Sequence, residues 1–249
     1  METVEGNLLT FVLIGALAQL IDGSLGMGYK TSTTTFLLSL GVPPVLASSG
    51  VHIAGIATSA VSGYSHYRFG NLDKSLFWKL VLPGIVGAVI GAVLLTRLPG
   101  DVIKPVIAIY LLLLGVRIVL KSLQRRYEPS INLHITPLGM AGGFFDAIGG
   151  GGWGPIVTST LMMNGHDPRK TIGSVNITEF FVTLFQSVVF IFLLDVIAWE
   201  LVVGLMIGGV ATAPFAAYVT QLLPVRRLML FVGIMVCVLS LRTLFSVVM

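Results

Sequence analysis

The sequence predicts an all-α integral membrane protein built from two inverted-topology repeats of about five membrane segments each, with broken or re-entrant half-helices meeting at the centre. Three observations carry that expectation. The chain is too apolar for a soluble domain, its halves match at glycine, proline and aspartate positions, and its basic residues gather on one side of the segments.

Composition comes first. Only 10% of the 249 residues are charged and 55% are hydrophobic, with a mean hydropathy of +0.95. Soluble domains carry about 25% charge. Nothing between Lys30 and Arg68 is formally charged at neutral pH, and residues 201–225 contain no Asp, Glu, Lys or Arg. A spanning helix needs roughly 20 apolar residues, so several fit. The apolar periods are helical or continuous, which argues against an alternating β-barrel. The pI near 9.4 reflects basic residues at segment ends, which serve as topology signals and give no reason for a nucleic-acid partner. The single cysteine, Cys237, rules out a disulfide framework or thiolate metal site. The acidic METVEGN start lacks the basic region of a cleaved signal peptide.

The repeat is visible at an offset of 124 residues. Gly15 falls on Gly139, Asp22 on Asp146, Gly26 on Gly150, Gly28 on Gly152, Gly41 on Gly165, Pro44 on Pro168 and Gly84 on Gly208. After a one-residue slip, Pro99 falls on Pro224 and Arg117 on Arg242. The expected halves are 1–124 and 125–249, together one transport domain, joined through the polar stretch 121–135.

In chain order, the first half reads as apolar segments at about 8–22, 29–40, 44–64, 75–97 and 102–121. The second reads as 137–148, 154–164, 170–194, 200–221 and 227–248. The second segment of each half is only about a dozen residues, half to two-thirds of a ~30 Å hydrocarbon core. Each is therefore expected to be a half-helix. Ten of the fifteen basic residues lie in the connections 65–79, 118–136, 165–170 and 222–227. Placing those in the cytoplasm puts both termini outside and inverts the second half relative to the first.

Two glycine-rich breaks precede the half-helices: DGSLGMGYKTS (22–32) and FFDAIGGGGWGP (144–155). Irregular backbone inside a membrane must be buried in protein or line a cavity. N–H groups at a half-helix start, with the positive end of its dipole, suit an anion. The expected substrate-binding residues are Gly26, Gly28, Tyr29, Lys30, Thr31, Ser49, His52, Gly150, Gly151, Gly152, Trp153, Gly154 and Asn176. Lys30 is read either as the substrate's counter-charge or as a structural partner of Asp22 or Asp146. Asp22 and Asp146 are read as caps on the half-helices, with proton carriage the alternative. Glu179 is the first candidate for proton coupling; its repeat counterpart is Gly55, so no acid balances it. Ser48, Ser49 and Ser174 could add neutral hydrogen bonds. Gly84, Gly87 and Gly91 are assigned to helix packing, and Arg117 and Arg242 to the membrane interface.

The glycine run, followed by the G-x-x-P-R-x-T turn at 165–171, and the stretch 40–73 with its H-Y-R-x-G-N, resemble the TauE/SafE sulfite exporter family across nearly the whole chain. The resemblance implies a multi-pass permease of the bacterial inner membrane for small sulfur-containing anions such as sulfite or organosulfonates like sulfoacetate, commonly an exporter, driven by the proton gradient. The first break departs from the family pattern: it reads G-M-G-Y-K-T, without proline.

The remaining expectations are a small anionic substrate, protons and the lipid bilayer as partners, and room for a homodimer. No cofactor, metal or catalytic residue is expected. The four histidines are scattered and no H-E-x-x-H occurs, so an enzyme is not expected. An anion channel, or an uptake permease for a small carboxylate or other anion, is the alternative.

Overall fold

The computed structural model describes residues 7–25, 28–68, 70–123, 134–158, 160–161, 164, 166–222 and 225–248. Among them every regular element is helical. The first half contains α1 (Leu8–Leu25), α2 (Tyr29–Ser39), α3 (Pro44–Arg68), α4 (Lys74–Arg97) and α5 (Gly100–Leu123). The second contains α6 (Ile135–Gly149), a π-helical turn at Gly154–Thr158, α7 (Pro168–Leu193), α8 (Trp199–Leu222) and α9 (Val225–Val248). Segment limits read from apolar periodicity agree with these bounds to within a few residues except at 154–164, where the structure has a π-helical turn at Gly154–Thr158 and residues 159, 162 and 163 lie outside the described residues.

Among the described residues, four helices are long and apolar enough to cross a bilayer: Pro44–Arg68, Lys74–Arg97, Gly100–Leu123 and Lys170–Leu193. Shorter apolar stretches occur at Leu8–Leu20, Trp199–Thr212 and Gly233–Phe245. Burial is the reverse of a soluble bundle. On α4 the buried face is largely small, with Gly84, Gly87, Ala88, Gly91 and Ala92, while Leu82, Val86, Ile90 and Leu94 are exposed. A stripe of large apolar residues facing outward suits lipid, and a small-residue face lets helix backbones approach.

Those close approaches are explicit. A Cβ at Gly208 would strike the Val12 carbonyl, and one at Gly15 the Leu205 carbonyl, where α1 lies along α8. A Cβ at Gly87 would strike Met140, one at Gly91 Phe144, and one at Gly143 the Gly84 carbonyl, where α4 lies along α6. Gly115 and Gly233 do the same between α5 and α9. Helix α3 packs on α7, α4 on α7 and α3 on α8. Under the repeat offset this packing maps onto itself: α1–α8 exchanges with α6–α4, while α3–α7 and α5–α9 map onto themselves.

The 11 residues of α2 cover about 16 Å at 1.5 Å per residue, half a hydrocarbon core. This helix is polar (YKTSTTTFLLS) yet buried over most of its length. Thr33 and Thr35 donate to the carbonyls of Tyr29 and Thr31 at 2.7 Å each. Those bonds let a threonine-rich helix sit among the others without touching lipid.

The H-Y-R-x-G-N stretch closes the loop before α4. Asn71 N–H donates to the His66 carbonyl at 3.0 Å, and Lys170 Nζ donates to the Gly70 carbonyl at 2.8 Å. Asp73 then caps α4 by accepting from the Ser75 and Leu76 N–H groups. The motif docks the end of α3 onto the start of α7.

Candidate functional site

The site follows from how each half is broken. In α1, the Asp22 side chain reaches forward to accept the Tyr29 N–H at 3.1 Å, capping α2 across the break. In α6, Asp146 Oδ1 accepts the Gly152 and Trp153 N–H groups at 2.9 and 3.0 Å. Asp146 and Trp153 stand 124 residues beyond Asp22 and Tyr29. An aspartate one turn before each break thus satisfies the N–H groups that the missing turn orphans.

Glycine is required where the two breaks touch. Gly150 and Gly151 have φ of 61° and 155°, values that side-chain-bearing residues rarely adopt. A Cβ on Gly151 would strike the backbone of Lys30 and Thr31, and one on Gly150 would strike Thr34. The Thr34 hydroxyl donates to the Gly150 carbonyl at 2.5 Å. Tyr110 of α5 supports the run from the other side, its hydroxyl 3.3 Å from the Gly151 carbonyl.

Lys30 enters from the start of α2 and lies 7% exposed. Its ammonium donates to Asp146 Oδ2 at 2.6 Å and Thr183 Oγ1 at 3.1 Å, and pairs with Glu179 Oε1 at 2.9 Å. Gly55 lies against the lysine stem, 3.9 Å from Cδ to the position of its missing Cβ. Asp146 is fully buried, and Oδ2 also meets His52 Nε2 at 3.1 Å and Gln186 Nε2 at 3.2 Å. His52 Nδ1 lies 2.7 Å from the Ser48 carbonyl. The Ser48 hydroxyl donates to the Ala147 carbonyl at 2.6 Å, holding α3 against the end of α6.

A pocket lined largely by polar side chains opens beside this network. Its walls include Asp22, Gly28, Tyr29, Lys30, Thr31, Gly152, Gly154, Asn176 and Glu179 of the expected residues. Asp146 forms part of its wall, and Thr58, Ser59 and Ser62 of α3 complete one side. Thr31 Oγ1 is buried without a hydrogen-bond partner among the described residues. Asn176 accepts from the Ser62 hydroxyl at 3.1 Å, and the Tyr29 hydroxyl donates to the Leu205 carbonyl at 3.2 Å.

Several expectations change. The glycine run does not present a bare cradle of N–H groups: Gly150 and Gly151 donate to the Asp146 carbonyl, and Gly152 and Trp153 to its carboxylate. Gly150 and Gly151 join the two breaks and do not form the pocket wall. Trp153 is buried, donating from Nε1 to the Val175 carbonyl at 3.2 Å. His52 stands behind Asp146. The Ser49 hydroxyl turns back to the Leu46 carbonyl, and the Ser174 hydroxyl accepts the Asp73 N–H at 2.8 Å, away from the pocket. Arg117 reaches Thr160 Oγ1 at 2.8 Å, so its head group is tied to the chain just after the π-helical turn. Gly26 lies outside the described residues. Sequence reasoning missed Thr183 and Gln186, although their spacing of four and seven from Glu179 places all three on one helical face.

The model of the family described as "Sulfite exporter TauE/SafE" matches residues 11–243. The chain belongs to the TauE/SafE family. It is 41% identical over 250 residues to "Probable membrane transporter protein YtnM" of Bacillus subtilis (strain 168), covering 96% of this chain and 83% of that one. It is 26% identical to "Probable membrane transporter protein ORF9" of Sinorhizobium sp, covering 84% and 80% of the two chains. It is also 26% identical to "Probable membrane transporter protein YdhB" of B. subtilis (strain 168), covering 87% and 90%. No solved structure matches the chain. Family and helices together make this a multi-pass membrane transporter.

Proposed function

We propose that the chain is a secondary transporter of a small sulfur-containing anion, such as sulfite or an organosulfonate of the sulfoacetate kind. The anion is held in the pocket where the two helix breaks meet, and its movement is coupled to protons. The observation that carries this reading is a buried lysine ammonium at the wall of a polar pocket, between two matched helix breaks. A cation placed at such cost inside an apolar chain marks a path for charge. Transporters assembled from repeats hold their substrate between discontinuous helices of this kind.

The inverted arrangement of 1–124 and 125–249 is part of the proposal. It is supported by packing that maps onto itself under the repeat offset and by the two matched Asp caps. The positive-inside rule then places both termini outside the bacterial inner membrane. Export is the direction the family description suggests. A channel remains the rival reading, and saturation of flux separates the two.

Thermal unfolding of the purified protein with sulfite, sulfoacetate, thiosulfate, sulfate or small carboxylates tests the substrate class. A ligand at 100 times its Kd stabilises by about 2.7 kcal/mol, so one anion should raise the melting temperature selectively. Lys30→Ala should lower the unliganded melting temperature, since Asp146 and Glu179 lose their cation, and should abolish the anion-induced rise. An undiminished rise in that variant would refute substrate contact by Lys30.

A further inference from the structure

The two carboxylates that hold Lys30 are not equivalent. Asp146 is fixed by four donors, two backbone N–H groups on Oδ1 with Lys30 and Gln186 on Oδ2, and His52 Nε2 lies 3.1 Å from Oδ2 as well. It is closed off from solvent, and moving it would release the caps of its own break. Glu179 comes from α7, lines the pocket, and its side chain is 19% exposed. Its ion partner is Lys30.

An ammonium has three donors, and those of Lys30 are committed to Asp146, Glu179 and Thr183. A substrate oxygen can bind Lys30 only by displacing one of them. Thr183 is fully buried and Asp146 is anchored, which leaves Glu179. Charge points the same way. Among the described residues, Asp22 of α1, Asp146 of α6 and Glu179 of α7 line the pocket with the Lys30 ammonium of α2, and His52 of α3 stands behind Asp146. An anion entering this ionised site meets excess negative charge.

We infer that Glu179 is the exchangeable partner of Lys30, and that the anion binds only as Glu179 takes up a proton, so anion and proton cross together in the same direction. This rests on the anion reading above. The balance is simple: the Glu179 carboxylate gains one proton and becomes a neutral acid, Lys30 stays protonated, and the anion occupies the position Glu179 leaves. A monovalent anion then crosses without net charge, and a divalent anion carries one negative charge. An inward proton gradient therefore drives uptake, and export requires a steeper outward anion gradient or, for a divalent anion, the membrane potential. Thr31 Oγ1, buried at the pocket without a partner among the described residues, is placed to donate to the bound anion.

Calorimetric titration with sulfoacetate, in two buffers of different ionisation enthalpy at one pH, counts the protons. The wild type should take up about one proton per anion, and its affinity should fall about tenfold per pH unit on the alkaline side. Glu179→Gln, which mimics the protonated acid, should bind with no proton uptake and no pH dependence over that range. Proton release or no proton exchange in the wild type overturns the inference, as does undiminished uptake in Glu179→Gln, which would move the proton to another group such as His52 or Asp22. Should that variant fail to fold, the wild-type proton count still decides. Absence of binding by sulfoacetate, sulfite and thiosulfate at every pH overturns the anion reading and this inference with it.

Discussion

Asp146 and Asp22 occupy matched positions but carry different loads. Asp146 joins a half-helix cap to a lysine, a histidine and a glutamine, all in the interior, whereas Asp22 accepts the Tyr29 N–H at the pocket wall. Removing one partner of a buried ion pair costs about 3–5 kcal/mol; losing a cap alone costs about 1 kcal/mol. Asp146→Asn should therefore destabilise the protein several times more than Asp22→Asn in thermal or denaturant unfolding. Equal losses would mean that Asp146 is only a cap. The capping roles were legible in the sequence because the two aspartates sit at the same distance from the two breaks. The Lys30–Glu179 pair was not, since Glu179 matches Gly55 and only the folded packing of α7 against α3 brings it to α2. Lys30 with Asp146 was one of two pairings the sequence left open, and burial of the charges on each other decides it.

At the scale of elements, the glycines divide into two kinds. Gly84, Gly87 and Gly91 let helices touch, as the sequence assigned them, and Gly143 and Gly208 do the same. Gly150 and Gly151 combine positive φ with contact between the two breaks. The matched breaks were legible, but what their N–H groups do was not. Sequence shows that a turn is missing without showing which acceptor fills it. Gly151→Leu would drive a side chain into the Lys30–Thr31 backbone and push α2 away from the second break. It should abolish anion-induced stabilisation while the helical content by circular dichroism stays near wild type. A variant still stabilised by anion would reduce the run to packing.

For the whole molecule, apolar length was enough to place the long helices, because a bilayer dictates it, whereas the expected half-helix 154–164 is described only as a π-helical turn at Gly154–Thr158. Orientation is a separate matter, resting on the sidedness of charge. In a Cys237→Ala background, Val196→Cys before α8 should react with an impermeant thiol reagent added to intact cells. Lys74→Cys at the start of α4 should react only after the membrane is opened. The opposite pattern would overturn the proposed topology. The tripartite Lys30 network also gives the molecule a reason to move. The Lys30–Asp146 pair joins the two breaks and Glu179 ties α7 to the same ammonium; the proposed exchange of Glu179 for substrate would free α7 from that tie.

The central claim, that this chain carries an anion through the Lys30 pocket as a secondary transporter, is tested most directly by flux. Purified protein in liposomes, given a pH gradient, should take up sulfoacetate with saturable kinetics. Uptake should rise with an inward proton gradient and disappear in Lys30→Ala. A flux that climbs linearly with concentration, ignores the pH gradient and survives Lys30→Ala would contradict it.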